Sequence, residues 1–191
     1  MKKPNVLIGL LLITGSVFAQ TNWALDKAHS KVGFNVTHMV VAEVEGKFND
    51  FDGKVVSTTD DFNGAAVEFS AKVASVDTDN ERRDGHLKSD EFFNAEKFAE
   101  IKFKGKLVKE NGKYLLKGDF TIRDVTKPVT FDVTYGGTVN TGKGIKAGFK
   151  VDGKVKRFDY GLKWNAALET GSLVVADEVQ ILCKIELNKQ A

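Results

Sequence analysis

The chain has 191 residues, 42% of them hydrophobic and 28% charged, with two prolines and one cysteine. That composition excludes a linker, a collagen or a disordered tail, and one cysteine excludes an internal disulfide. Twenty-eight Lys and Arg against 26 Asp and Glu give a formal charge of +2, too little for a whole-molecule field that gathers nucleic acid or anionic membrane.

Residues 1–19 have the three parts of a secretory signal. Lys2 and Lys3 supply the positive start, Val6 to Ile13 form an apolar stretch interrupted by Gly9, and Val17-Phe18-Ala19 resembles a cleavage site before Gln20. The rival is a retained anchor, but the apolar run is shorter than the roughly 18–20 residues that a helical span requires. No cysteine follows to carry a lipid. The expectation is therefore export of the Gram-negative type, to the periplasm or beyond, with residues 20–191 as one domain able to bury a large core. Removal of Lys2 and Lys3 also leaves 26 charges of each sign.

Beyond residue 22 nearly every segment alternates with period two, the pattern of a half-buried strand. Val32, Phe34, Val36, His38 and Val40 share one face of the first run, and Gly46 to Val56 form the next. Val67, Phe69, Ala71 and Val73 follow, then Ile101, Phe103 and Leu107 set against Lys102, Lys104 and Lys106. The remaining apolar faces are Leu116, Phe120 and Ile122; Val129, Phe131, Val133 and Tyr135; Ile145, Ala147, Phe149 and Val151; and Val179 through Leu187. Between the runs, Asn111-Gly112 is the strongest short hairpin signal. Asp52-Gly53, Gly136-Gly137, Gly142 to Gly144 and Asp152-Gly153 mark further turns or bulges. Only residues 79–99 look helical, with Asp79 or Ser89 as candidate caps and Leu87, Phe92, Phe93 and Phe98 as an apolar face.

The expected fold is mainly β: a single antiparallel β-barrel of about eight strands with a short helical excursion near residues 79–99. Closure hides every apolar face without leaving an edge, and eight strands leave an interior that side chains fill or that holds one small ligand. A two-sheet sandwich is the competing arrangement.

Several strings in order carry a resemblance. They are Trp23, Asp26, His29-Ser30, Phe34 and His38; Gly46 with Phe48; Ser75-Val76-Asp77-Thr78; and Arg83-Asp84, His86-Leu87, Ser89-Asp90 and Phe92-Phe93. Gly118 to Ile122, Thr126 to Val129 and Arg157 to Gly161 complete the set. Over about Trp23 to Leu187 the chain resembles the YceI-like family of bacterial exported proteins. The resemblance implies a lipocalin-like barrel with a long apolar channel that binds a polyisoprenoid chain, such as a polyprenyl phosphate or an isoprenoid quinone. Two positions depart from the common pattern: Phe98-Ala99, where proline often follows the aromatic, and Arg123-Asp124, where glycine is frequent.

The candidate channel lining is Phe34, Val36, His38, Phe48, Phe69, Phe103, Phe120, Phe131, Phe149 and Ile181. Periodicity leaves two readings of these side chains open, a channel wall or a filled interior, and the resemblance implies the channel. His38 is open to two readings as well, a polar contact for a ligand oxygen or a core histidine bonded to a neighbour. Arg83, His86 and Arg157 are candidates for a head-group rim, or for caps and ion pairs that hold loops on the barrel mouth. His29 and Ser30 are adjacent in an extended segment and point to opposite faces, so with Asp26 they make no catalytic triad. No zinc-ligand spacing occurs, and Cys183 alternates with Ile181 and Ile185 on an apolar face. The expectation is a non-enzymatic lipid-binding protein with no catalytic cofactor, no metal and no nucleic-acid partner; the alternatives are a filled-barrel periplasmic interaction protein and an enzyme acting on a lipid in the same cavity. Its mature chain is expected to hold no membrane span, and a homodimer is a candidate assembly.

Overall fold

A computed structural model describes residues 20–166, 171 and 173–191. The export segment expected at 1–19 lies outside the described residues.

The chain opens with β1 (Thr21–Leu25), a 3-10 turn at Lys27–His29, β2 (Lys31–His38), β3 (Ala42–Phe48) and β4 (Phe51–Ser57). After β5 (Ala66–Lys72) and a second 3-10 turn comes the short β6 (Val76–Asp77), then α1 (Glu81–Lys88). Four long strands follow: β7 (Glu100–Glu110), β8 (Lys113–Ile122), β9 (Val125–Asn140) and β10 (Ile145–Lys156). A 3-10 turn at Arg157–Tyr160 leads on to β11 (Val175–Lys189).

All pairings are antiparallel, and the ring closes because β1 bonds both β4 and β11. The ring order is β1-β4-β5-β7-β8-β9-β10-β11. β1 and β2 lie end to end along β11, which pairs its Leu187 with Leu25 and its Val179 with Val36. β3 and β4 similarly form one stave broken at Asn49-Asp50, so the barrel has eight long staves, as the alternation predicted. The 16 residues of β9 at about 3.3 Å each make it a stave of roughly 50 Å.

Local chemistry explains most of the connections. Asn111 (φ 50°) and Gly112 (φ 79°) form the two-residue turn between β7 and β8, as their pair signal predicts. Gly136-Gly137 lies at a register shift between β9 and β10. Asp52-Gly53 and Asp152-Gly153 are not turns; both lie inside strands. At Gly153 the absent Cβ makes room for the Phe131 ring, whose nearest atom lies 2.2 Å from where that carbon would stand. α1 is shorter than the helical span expected, and its caps differ: Asn80 Oδ1 accepts the Arg83 N–H at the start, while Ser89 closes the C-terminal end by donating to His86 O.

The outer wall is polar. Glu68 meets Lys54 at 2.9 Å and Lys104 at 3.1 Å, and Glu100 meets Lys72 at 2.6 Å and Lys102 at 3.2 Å. Exposed pairs of this kind contribute little each, and mainly keep the staves in register. The inner faces form two apolar clusters. The smaller one sits at one end around Trp23, Phe62, Ala65, Leu107, Phe149 and Leu187; the larger runs from mid-barrel to the other end.

Candidate functional site

The inward faces do not fill the barrel. A cavity of about 220 Å³, measured as room for the centre of a water molecule, occupies the lumen. Phe34, Val36, Phe48, Phe69, Phe103, Phe120, Phe131, Phe149 and Ile181 all border it. Phe34, Val36, Phe69, Val151, Val179, Ile181 and Ile185 point inward and yet are only half-buried, because part of each side chain faces this space.

Glycines on the wall keep that space open. The Phe34 ring lies across Gly46, directly opposite it in the register, with its Cζ 2.2 Å from where a Cβ would stand. Phe103 lies over the facing pair Gly105 and Gly118, and Phe131 lies over Gly153. A phenylalanine that lies flat on a glycine adds apolar wall without crossing the lumen. These glycines escape a sequence reading, because in a strand a glycine reads as a weak point or a turn.

One end of the lumen is sealed. Phe62, 1% exposed and with φ 59°, reaches in from the loop between β4 and β5. Its ring centroid lies 4.9 Å from Trp23, 5.0 Å from Phe149 and 5.6 Å from Tyr135. The only sequence signal for this plug is a lone aromatic in a polar loop, outside any alternating run. The other end is bordered by Leu87, Phe92 and Phe93 from the 79–99 excursion and by Leu162 and Val175. Phe98, expected on the same apolar face as those residues, does not border the cavity. It lies under the Arg123 guanidinium, 5.2 Å from ring centroid to cation.

The polar candidates fare differently from the apolar ones. His38 does not border the cavity: it is the last residue of β2, level with Val175, where the stave passes the rim. Val40 leaves the strand altogether and is 65% exposed in the turn beyond. Arg83 and His86 do not border the lumen either. Arg83 Nε donates to Thr78 Oγ1 at 2.7 Å and its NH2 to Thr78 O at 2.6 Å, while the Asp84 carboxylate accepts from Thr78 N and Oγ1. His86 Nε2 meets the Glu91 carboxylate, and the imidazole stands edge-on to Phe92 and Trp164, each 4.9 Å away. Both side chains tie the excursion down.

Arg157 does border the lumen and is 5% exposed. Its guanidinium donates to four main-chain carbonyls: Ala176 at 2.9 Å, Leu162 at 2.6 Å, Trp164 at 2.8 Å and Val175 at 2.9 Å. It thus staples the segment after β10 onto the start of β11. Burial lowers its pKa and the Asp177 carboxylate opposes that shift, but no carboxylate among the described residues pairs with it within 4 Å. Strand alternation turns Lys54 and Glu68 to the outer face, so Arg157 is the one charged side chain facing the cavity among the described residues.

Cys183 also lines the cavity, and burial pushes its thiol up to about 11, the state of an unreactive hydrophobe. Outside the barrel, Asp26, His29 and Glu186 bring ligand-type atoms within 4.8 Å of one another. The Lys146 ammonium already bridges Asp26 and Glu186, at 2.8 Å from Asp26, and with His29 it holds the Asp26 carboxyl well below the usual range. Ser30 Oγ accepts from Glu186 N, away from His29, so no triad forms. No described helix is long and apolar enough to cross a membrane.

Comparison with known proteins fits this geometry. The family profile of the YceI-like domain matches residues 23–187. The UPF0312 protein of Staphylococcus aureus strain N315 is 36% identical over 170 residues, covering 88% of this chain and 98% of that one. Among solved structures, the YceI protein of Campylobacter jejuni superposes with a TM-score of 0.69 at 31% identity, covering 87% of this chain and 97% of that one. A polyisoprenoid-binding domain from Saccharophagus degradans shares the fold, with a TM-score of 0.65 at 15% identity over 88% and 98% of the two chains. The residues that match the profile are those that build the closed barrel, its apolar lumen and its stapled mouth, and the chain belongs to the YceI-like family.

Proposed function

We propose that this protein is an exported, non-enzymatic lipid binder that holds one long polyisoprenoid chain in its lumen as carrier, store or sensor. The observation that carries the reading is the Phe-on-glycine wall, which spends bulky side chains on lining a space rather than filling it. Such a wall recognises length and apolarity but no particular functional group. At ~0.8 kcal/mol per buried CH₂, each five-carbon unit contributes roughly 3–4 kcal/mol before ordering costs. The same fold in the Saccharophagus degradans domain, described as polyisoprenoid-binding, supports the ligand class.

In this reading the tail points toward the Phe62 seal and the head lies near Arg157, whose positive charge favours a phosphate or a polarised quinone oxygen over an ammonium. Residues 1–19 act as a cleaved export signal, the protein works in the periplasm or outside the cell, and no catalytic cofactor is needed. Native mass spectrometry of the protein purified from its own envelope, with organic extraction of whatever it carries, tests the proposal. A stoichiometric isoprenoid is expected. A bare mass that also resists loading with polyprenyl phosphates and quinones would overturn it.

A further inference from the structure

The turn between β2 and β3 is built against local preference. Met39 (φ 49°) and Val40 (φ 66°) are both left-handed, the geometry that Asn-Gly normally fills, and a β-branched residue there is especially unfavourable. The turn is nevertheless formed, with Val41 N donating to His38 O at 3.3 Å and Met39 N to Val174 O at 2.8 Å. What it displays is apolar. Met39 is 45% exposed, Val40 65% and Val41 88%, and Leu173, next to the Val174 that anchors the turn, is 39% exposed. They account for four of the five exposed large hydrophobics among the described residues. Water and backbone geometry both argue against this sequence at this place.

Its position supplies a reason. The last pair of β2 is His38 with Val175, and Val175 lines the cavity, so the tip starts one residue past the lumen on the side opposite the Phe62 seal. We infer that Met39, Val40, Val41 and Leu173 form a membrane-docking tip that inserts into a phospholipid bilayer and sets the barrel mouth against it, so that a lipid enters or leaves without crossing water. This inference rests on the lipid-binding reading above. A bilayer is favoured over a protein partner by area. Four side chains on one turn fall well short of the roughly 800 Å² per partner of an ordinary protein interface. Shallow insertion needs only a few apolar residues, and each gains by leaving water. Glu43 and Glu45 on the adjoining strand are exposed, so anionic headgroups are not what holds the tip.

The test replaces the tip without weakening the turn. Met39→Asn with Val40→Gly gives the turn its preferred residues, and Val41→Ser removes the most exposed side chain; this triple variant is expected to fold at least as stably as the parent. Flotation with vesicles of phosphatidylethanolamine and phosphatidylglycerol should show the parent bound and the variant bound roughly tenfold less or weaker. Uptake of a fluorescent polyprenyl phosphate from those vesicles should slow by a similar factor, while uptake from detergent micelles stays equal. Equal uptake from vesicles by both proteins would overturn the docking tip and leave lipid binding intact. A concentration-dependent dimer that the variant loses, with no vesicle binding by the parent, would overturn it in favour of a self-interface. No uptake by the parent from micelles would overturn the lipid reading itself, and the docking inference with it.

Discussion

The two ends of the barrel are closed by different mixtures of forces. At the sealed end Phe62 wedges among Trp23, Tyr135 and Phe149, a contact of ring against ring with centroids 4.9–5.6 Å apart. At the mouth ring packing of Phe92 with His86 and Trp164 is joined by polar staples that the sealed end lacks among the residues named above: Arg83 and Asp84 on Thr78, and Arg157 on four carbonyls. Apolar packing resists opening in proportion to its area, whereas a staple concentrates its resistance in a few hydrogen bonds that are lost together when one side chain is removed.

The largest effect is expected at the seal. Phe62→Ala should lower stability by about 3–5 kcal/mol, read as a shift of the denaturant midpoint, because it empties a site walled by three aromatic rings. A loss under about 1 kcal/mol would show that the loop collapses into the gap and that the end is not sealed by this side chain. Next comes the staple. Arg157→Met keeps the bulk and removes every donor, with an expected cost of about 2–3 kcal/mol. Hydrogen exchange sharpens the contrast: the amides of Leu162 and Val175 at the mouth should exchange faster, while Leu107, which donates to Ala65 O at the sealed end, keeps its protection. Uniform acceleration at both ends would mean that the barrel opens as one unit.

Between the ends, the wall can be tested by filling it. A side chain at Gly153 places its Cβ 2.2 Å from the Phe131 ring and drives that ring into the lumen. Gly153→Val should reduce lipid loading roughly tenfold at a stability cost of about 1–3 kcal/mol from overpacking. Lys154→Val, one residue on and facing out, should leave loading unchanged. Equal effects would mean that the ligand does not use this part of the lumen.

How legible each part was in the sequence follows the same division. The staves and the inward Phe, Val and Ile residues have a period of two, which the tertiary structure interrupts at the Gly136-Gly137 register shift and where Val40 leaves the first run. His38 fails as a lining residue because alternation gives the face but not the height of the rim. Arg83 and His86 were visible as polar groups, yet which carbonyl or hydroxyl a guanidinium reaches depends on loops that carry no period. The space inside was invisible for a different reason. It depends on Phe34 meeting Gly46 and Phe131 meeting Gly153 across strands, and Gly153 alone reads as a turn or bulge beside Asp152.

The smallest expected effect concerns Arg123-Asp124, the two-residue turn between β8 and β9. Arg123 has φ 57°, so Arg123→Gly relieves a left-handed backbone, worth about 1–2 kcal/mol for a residue with a Cβ. The same change removes the bond from Arg123 NH1 to Gly161 O at 3.0 Å and the guanidinium over Phe98, which together contribute about 1–2 kcal/mol. The two nearly cancel, and the midpoint should move by less than about 0.5 kcal/mol. The mouth should nevertheless loosen, because the strap joins that turn to Gly161 and to the excursion at once, whereas the backbone relief is confined to the turn. Faster exchange at Leu162 with an unmoved midpoint would separate local from global stability at the mouth; an unchanged rate would mean that Arg157 alone holds the segment.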